Sequence, residues 1–275
     1  MSQPTLDGMP ERLYAAAPAR LATWIDCPRR YRLTYLDRPA PVRTGAWAHT
    51  SVGATVHTAL ARWWDLPPDR RTPQAGGALV SSGWPGDGFR DPRQSHAARR
   101  RAVGHVERYL AGVDPSVEPL AVERTVSVHT VHGALWGRVD RLDARGDEVA
   151  VVDYKTGRHV PTAEEARDSL ALAVYAAGAA RMLHRPCRRV ELHHLPSGTI
   201  AAWDHTEASL SAHLRRADDV AAELARLDDA HPEGGDDAAF PARVAPRCGW
   251  CDVRPSCPAG RAVPARRPWD GIIDG

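Results

Sequence analysis

The most informative residue in the sequence is Lys155, because it is the only lysine in a chain with 36 lysine and arginine residues. It follows an apolar run in Val151-Val152-Asp153-Tyr154-Lys155-Thr156-Gly157. Lysine carries a compact point charge and arginine a planar fork, so an arginine-rich chain that keeps one lysine indicates a need for an ammonium there. On a β-strand, Asp153 and Lys155 project from the same face. The pair predicts a metal-ligating carboxylate beside a group that stabilises negative charge.

Further side chains could complete such a site. Asp140 lies near the end of a predicted strand, and His57 lies on the apolar face of a predicted helix. A small cluster of hard oxygen ligands suits Mg²⁺ or Mn²⁺, and an imidazole could add a nitrogen ligand. Glu123, on an earlier strand, is one more candidate. Ordinary alternatives exist for each: a strand-end salt bridge for Asp153 and Lys155, a core histidine for His57, and a plain strand residue for Glu123.

The elements that must position these groups follow from the hydrophobic pattern. It predicts helices over residues 19–36, 51–66 with Ser51 as N-cap, 94–111, 162–183 and 205–227, and a long surface loop over 67–93. It predicts strands over residues 120–130, 134–142, 148–154 and 188–195, followed by a partner strand to residue 203. A helical crossover between the third and fourth strands implies that these two are parallel. We therefore expect an α/β fold with a mixed sheet flanked by helices.

Composition limits the remaining possibilities. With 275 residues, 43% of them hydrophobic, the chain can bury a substantial core. The net charge of +2 makes nucleic-acid binding depend on local arginine clusters such as Arg99-Arg100-Arg101. No segment has the length of a membrane helix, and residues 1–18 lack the features of a signal peptide. We expect a cytoplasmic protein with no membrane partner, a disordered segment over 1–18, one domain over 19–262 and a tail over 263–275.

Five cysteines in a chain expected to be cytoplasmic favour metal binding or catalysis over disulfides. Cys248, Cys251 and Cys257 form a compact group, and Cys27 is the candidate for a fourth ligand. Four thiolates select zinc or an iron–sulfur cluster, and this spacing is not that of the ferredoxins or of a paired CxxC zinc ribbon. Such a site would join the N-terminal and C-terminal segments. Cys187, at the start of a predicted strand, is expected to be a small core residue.

Three motifs together resemble the RecB-like branch of the PD-(D/E)XK nuclease superfamily. Residues 53–57, Gly-Ala-Thr-Val-His, resemble its GxxxH motif, residues 137–140, Gly-Arg-Val-Asp, its GxxD motif, and residues 152–157 its DYKTG motif. The resemblance covers about residues 19–260. It implies a restriction-endonuclease-like core with the order αβββαβ, divalent-metal binding by His57, Asp140 and Asp153, and catalytic assistance by Lys155.

The sequence departs from this family at two positions. In the family's QxxxY motif Tyr175 matches, while Ala171 stands at the glutamine position, and Val139 replaces the proline that precedes the first acidic residue. One cysteine before the core and three after it resemble the iron–sulfur subset, which includes the AddB nuclease domain and CRISPR-associated exonucleases. That likeness implies a [4Fe-4S] cluster bound by Cys27, Cys248, Cys251 and Cys257, with zinc as the alternative.

Together these features predict a metal-dependent DNA exonuclease of repair or recombination that acts on single strands or duplex ends. Its catalytic residues would be Asp140, Asp153, Lys155 and Tyr175. Two alternatives stay open: a catalytically weak DNA-binding scaffold that keeps the nuclease fold, and a redox-sensing iron–sulfur protein. Whether a helicase or another repair protein is a partner also stays open.

Overall fold

The computed structural model describes residues 12–272. The strands are β1 (Tyr14–Ala16), β2 (Ala121–His129), β3 (Gly133–Arg145), β4 (Glu148–Lys155), β5 (Arg189–His194) and β6 (Thr199–Asp204). The α-helices are α1 (Pro18–Asp26), α2 (Pro28–Tyr35), α3 (Ala48–Trp64), α4 (Pro73–Ser82), α5 (Pro92–Leu110), α6 (Ala163–Asp168), α7 (Leu170–Leu183), α8 (Glu207–Ala230) and α9 (Pro258–Arg261). Short 3₁₀ turns occupy Pro68–Arg70, Pro246–Trp250 and Arg254–Ser256.

The strands form one mixed sheet in the order β1-β3-β4-β5-β6, and β2 pairs with β3. β3 and β4 are an antiparallel hairpin, whereas β4 and β5 run parallel and are connected through α6 and α7. The predicted α/β class, the mixed sheet and the parallel crossover are therefore confirmed. The ladder between β3 and β4 extends only to the pair Arg141 and Val152, so the two strands separate beyond it.

Both faces of the central strand are buried, which explains why β4 is apolar throughout. Val151 joins a core cluster that includes Leu172 and Ala176 of α7. Val152 points to the other face and packs in a cluster with residues of α3, α4 and α5, including Trp63 and Val106. Helices therefore cover the sheet on both sides and bring α3 against the end of β4.

The expectation of a single helix over residues 19–36 is wrong, because the structure has two helices there, α1 and α2. Cys27 between them has extended backbone, with φ of −164° and ψ of 106°. Pro28 supplies no backbone N–H and disfavours a helical conformation for the residue before it. The break therefore follows from the Cys27-Pro28 pair.

The expected surface loop over 67–93 is also wrong, since it contains α4. The Thr72 hydroxyl caps this helix by accepting a hydrogen bond from the Ala75 N–H over 3.1 Å. Gly76 and Gly77 suggested a loop, but they allow α4 to pack closely on α5. A Cβ on Gly76 would lie 2.2 Å from the Leu110 Cδ1 atom.

Two other helix boundaries differ from expectation. α3 begins at Ala48 with Trp47 at the N-cap, so Ser51 lies inside the helix and is not its cap. Thr162 does cap a helix and forms a capping box with Glu165, but Ser169 then ends α6 and caps α7. The expected helix over 162–183 is thus two helices.

The N-terminal part of the expected disordered segment lies outside the described residues. Within it, Tyr14–Ala16 forms β1 and pairs in parallel with the start of β3, so ordered structure begins before residue 19. In the stretch from residue 12 to residue 272, none of the helices combines the length and the apolar character that a membrane crossing requires.

Candidate active site

His57 of α3 and Asp140 of β3 meet where β3 and β4 separate. The His57 Nδ1 atom lies 3.1 Å from Asp140 Oδ1, and its Nε2 atom lies 3.1 Å from the Tyr154 carbonyl oxygen. Burial alone would lower the pKa of His57, but the hydrogen bond and charge of Asp140 raise it. Both neighbours are acceptors, so a neutral imidazole donates to only one of them, and the tautomer determines which nitrogen keeps a free lone pair.

Gly53 lets α3 come close enough for this contact. A Cβ at Gly53 would lie 3.2 Å from the Thr156 Oγ1 atom, just after the end of β4. The glycine and the histidine of residues 53–57 are four positions apart and so lie near one another on the helix surface. Gly53 therefore lets α3 lie close to the end of β4, and from there His57 reaches the sheet.

Asp140 also links the two strands of the hairpin. Its Oδ2 atom accepts a hydrogen bond from the backbone N–H of Tyr154 over 2.7 Å. The side chain is 14% exposed. One carboxylate oxygen thus replaces the ladder hydrogen bond that ends at this point, while the other faces His57.

Asp153 and Lys155 project from the same face of β4, as the sequence predicts. The Lys155 Nζ atom lies 2.6 Å from Asp153 Oδ2. Burial raises the pKa of Asp153, the charge of Lys155 lowers it, and the nearby Asp140 raises it, with a net increase. The contact is consistent with a carboxylate and an ammonium that act together in catalysis, and equally with a salt bridge at the end of the strand. The role of Asp153 as a metal ligand therefore stays a prediction.

Glu123 is the residue that sequence reasoning undervalued. Among the described residues, one group of potential ligand atoms lies mutually within 4.8 Å, and it consists of His57, Glu123 and Asp140. Glu123 on β2 stands opposite Asp140, between the ladder pairs formed by Val122 and Arg124. The available signal was the register that results from pairing the strands predicted over residues 120–130 and 134–142.

The backbone at Glu123 is strained, with φ of +49°. A non-glycine residue in this region costs about 1–3 kcal/mol and persists only where its surroundings impose it. Its carboxylate lies 2.6 Å from the Arg138 Nε atom. Burial raises the pKa of Glu123, and the charge of Asp140 adds to that increase against the effect of Arg138. The cluster therefore concentrates negative charge, which is the electrostatic condition for binding a divalent cation.

Tyr175 of α7 packs directly against β3. A Cβ on Gly137 would lie 2.3 Å from the Tyr175 Cε1 atom, so the glycine of residues 137–140 makes room for this ring. Burial, followed by the charges of Asp153 and Asp140, raises the pKa of Tyr175. The phenol therefore lies near both carboxylates and stays protonated at neutral pH, as an uncharged hydrogen-bond donor.

The chain matches the family model of the PD-(D/E)XK nuclease superfamily over residues 15–258. The chain belongs to the PD-(D/E)XK nuclease superfamily. Its mixed sheet and flanking helices are the expected restriction-endonuclease-like core of that superfamily.

Two solved structures are similar to this member of the superfamily. A "Putative exonuclease" from Eubacterium rectale shares 10% identity over 88% of each chain, with a TM-score of 0.49. The protein SSO0001 shares 15% identity over 92% of this chain and 90% of that chain, with a TM-score of 0.39. No curated protein matches the chain.

This PD-(D/E)XK nuclease superfamily member also gathers four of its five cysteines around one small cavity, namely Cys27, Cys248, Cys251 and Cys257. Cys27 lies at the break between α1 and α2, and its sulfur accepts a hydrogen bond from the Arg243 N–H over 3.5 Å. Cys257 packs against Leu33 of α2. The N-terminal helices and the C-terminal segment therefore meet at these thiols, as the sequence predicts.

Backbone N–H groups point at two more of the sulfurs. The Ala245 N–H donates to Cys248 Sγ over 3.5 Å, and the Gly260 N–H donates to Cys257 Sγ over 3.3 Å. Three arginines, Arg30, Arg243 and Arg254, also line the cavity. Burial raises the pKa of Cys251, and the charge of Arg30 opposes that increase.

Cys187 lies apart from this group. It is 2% exposed within the core cluster beneath α7. Burial raises its pKa to about 12, so the thiol keeps its proton at neutral pH. This placement agrees with its expected role as a small core residue.

Proposed function

We propose that the protein is a divalent-metal-dependent deoxyribonuclease that hydrolyses phosphodiester bonds. The observation that carries the proposal is the convergence of His57, Glu123 and Asp140 within 4.8 Å at the point where β3 and β4 separate. Membership of a nuclease superfamily supports it. Mg²⁺ or Mn²⁺ held there would polarise the scissile phosphate and lower the pKa of an attacking water.

The side chains around the cation have separable roles. His57, Asp140 and Asp153 would be the ligands inferred from the motifs, and Glu123 would add a fourth. The Lys155 ammonium, 45% exposed and next to Asp153, would stabilise negative charge that develops on the phosphate. Tyr175 would act as a neutral donor that positions the strand.

A [4Fe-4S] cluster bound by Cys27, Cys248, Cys251 and Cys257 fits the second site. A zinc ion with Zn–S bonds of about 2.3 Å holds its sulfurs about 3.8 Å apart. An iron–sulfur cluster spaces its cysteines more widely, since each binds a different iron, and N–H groups directed at sulfur are typical partners of such clusters. Zinc stays the alternative occupant, because four thiolates also suit that ion.

These features support placing the chain in the RecB-like, iron–sulfur branch of the superfamily, as an exonuclease of DNA repair or recombination. Residues 19–262 would form the single nuclease domain, with residues 263–275 as a tail. A helicase would be the natural source of separated strands for such an enzyme.

The deciding experiment uses protein purified without oxygen and incubated with end-labelled single-stranded and double-stranded DNA, with and without Mn²⁺. Metal-dependent release of short products is expected, and closed circular DNA should resist cleavage if the enzyme needs an end. The Asp140→Asn variant is the control for a contaminating nuclease. Equal activity in that variant, or none in the wild type with any metal, would refute the proposal.

A further inference from the structure

A cavity of about 300 Å³ lies beside the proposed metal site and has no role in the chemistry described above. It opens between α3, α5, the segment after β4 and the segment after β5, with Gly271 and Ile272 along one side. Val56, which immediately precedes His57, lines it, and so does Thr156, which immediately follows Lys155. Two residues that line the cavity are therefore covalent neighbours of proposed site residues, on two different elements.

The wall of the cavity is apolar. It is formed by side chains from both helices and from the segment after β5: Val52, Val56, Ala98, Ala102, Leu195 and Pro196. Pairs such as Val52 and Val56, or Ala98 and Ala102, are four residues apart and so share one helix face. Most of the wall therefore consists of the faces of α3 and α5, on which the flat ring of a base could lie.

Three basic side chains border this apolar wall, namely Arg101, His105 and Arg158. Arg158 is exposed and His105 is half-buried. Burial, followed by the charges of Arg108 and Arg101, lowers the pKa of His105, so the rim cations are Arg101 and Arg158. Apolar wall and cationic rim together match a nucleotide, which has a flat base and an anionic phosphate.

Size and enclosure narrow the ligand further. A volume of about 300 Å³ is at the small end of ligand pockets and suits one nucleotide. Only an unpaired base can enter, since enzymes that enclose a base must first remove it from the stack.

We infer that this cavity binds one unpaired nucleotide of the substrate strand next to the scissile phosphate. The inference rests on the proposed nuclease function and extends it, because it selects single strands and frayed ends over intact duplex ends. The base would pack on the α3 and α5 wall while the rim cations contact the flanking phosphate.

The test measures binding without cleavage. The wild-type protein is titrated in EDTA with fluorescent single-stranded oligonucleotides, each carrying one abasic nucleotide at a different position. One position should weaken binding about tenfold, which is within the range for loss of one base contact. The remaining positions should have little effect, and a blunt duplex should bind more weakly than the single strand.

Two variants on α5 test the location of that contact. Ala98→Leu fills the cavity and should remove the dependence on the abasic position. Ala97→Leu is the matched control, because Ala97 is the neighbouring residue on α5 and does not line this cavity. If Ala98→Leu does not fold, Arg158→Gln gives an independent test. It should reduce the slope of log affinity against log salt by about one, whereas exposed Arg181→Gln should not.

The outcomes separate the two proposals. If the protein cleaves DNA in a metal-dependent way but binds every abasic oligonucleotide equally well, the cavity inference is overturned and the nuclease function stands. Equal binding of blunt duplex and single strand also overturns it. Absence of both DNA binding and cleavage removes the nuclease proposal and this inference with it.

Discussion

Asp140 accepts a hydrogen bond from the backbone N–H of Tyr154, and this contact joins β3 to β4 just where their ladder ends. The same carboxylate faces His57 through its other oxygen. A candidate metal ligand therefore also determines the geometry of the strand that carries Asp153 and Lys155. Substitutions at Asp140 can separate these two roles.

Asp140→Asn should abolish cleavage but keep the fold, because the amide oxygen can still accept from Tyr154 while the anionic ligand is lost. Asp140→Ala should abolish cleavage and also destabilise the protein by about 1–3 kcal/mol, since the Tyr154 N–H loses its partner. Cleavage assays and urea denaturation measure the two effects. Metal-dependent activity in Asp140→Asn would show that this carboxylate is not a ligand.

Lys155→Ala should slow cleavage about a hundredfold, the typical effect of removing one group that stabilises transition-state charge. Lys155→Arg should not restore the rate, because its planar fork differs from an ammonium in shape and reach. DNA binding should change little in either variant. Single-turnover rates at saturating protein are the measurement, and a wild-type rate for Lys155→Ala would remove Lys155 from the mechanism.

Glu123→Gln should weaken Mn²⁺ binding by at least about tenfold, because it removes a charged oxygen from the cluster with His57 and Asp140. Arg138→Gln is the matched control, since it breaks the salt bridge with Glu123 but leaves the carboxylate in place. Calorimetric titration with Mn²⁺ distinguishes them. Similar small changes in both variants would mean that Glu123 serves the salt bridge alone.

Protein purified without oxygen should be brown and contain about four iron and four sulfide ions per chain. Alanine at Cys27, Cys248, Cys251 or Cys257 should remove the colour and lower the solubility. Cys187→Ala should keep the colour, because this thiol is buried in the core beneath α7. A colourless protein with one zinc ion would keep the four-thiol site and refute the iron–sulfur assignment.

Acid should destabilise the protein through Glu191, which is 3% exposed on β5. Burial raises its pKa, but hydrogen bonds from His193 and Arg189 outweigh burial and lower the pKa to about 2. The resulting stabilisation is on the order of 3 kcal/mol above the unfolded pKa of about 4.3, and it is lost as pH falls toward 2. Urea denaturation between pH 6 and pH 2 should show this loss.

Glu191→Gln should flatten that dependence, whereas the exposed Glu233→Gln should leave it unchanged. Parallel pH profiles for wild type and Glu191→Gln would contradict the assignment, since the ionised carboxylate would then contribute nothing. The comparison needs no activity measurement and is independent of the metal site.

The sequence predicts most of the sheet because its signals are local. Val151 and Val152 are buried on opposite faces of β4, and a continuous apolar run is what such a strand requires. α4 escaped prediction because its glycines are poor helix formers, and their small size matters only against Leu110 and Glu107 of α5. That contact is long-range and cannot be inferred from local propensity.

The residues of the candidate site also differ in how readily the sequence reveals them. His57, Asp140 and Lys155 lie in motifs whose spacing within one element can be followed in the sequence. Glu123 depends on the register between two strands and on a left-handed backbone conformation, and neither can be seen in a single segment. The residue that completes the cluster was therefore the hardest to identify from the sequence.

The four-thiol cavity has a consequence for how the protein is made. Cys27 is translated well before Cys248, Cys251 and Cys257, which line the same cavity. No cofactor that needs all four thiols can be fully bound before Cys257 is translated. Under the proposed assignment, a cluster bound by all four thiols would therefore be completed only after the C-terminal cysteines are made.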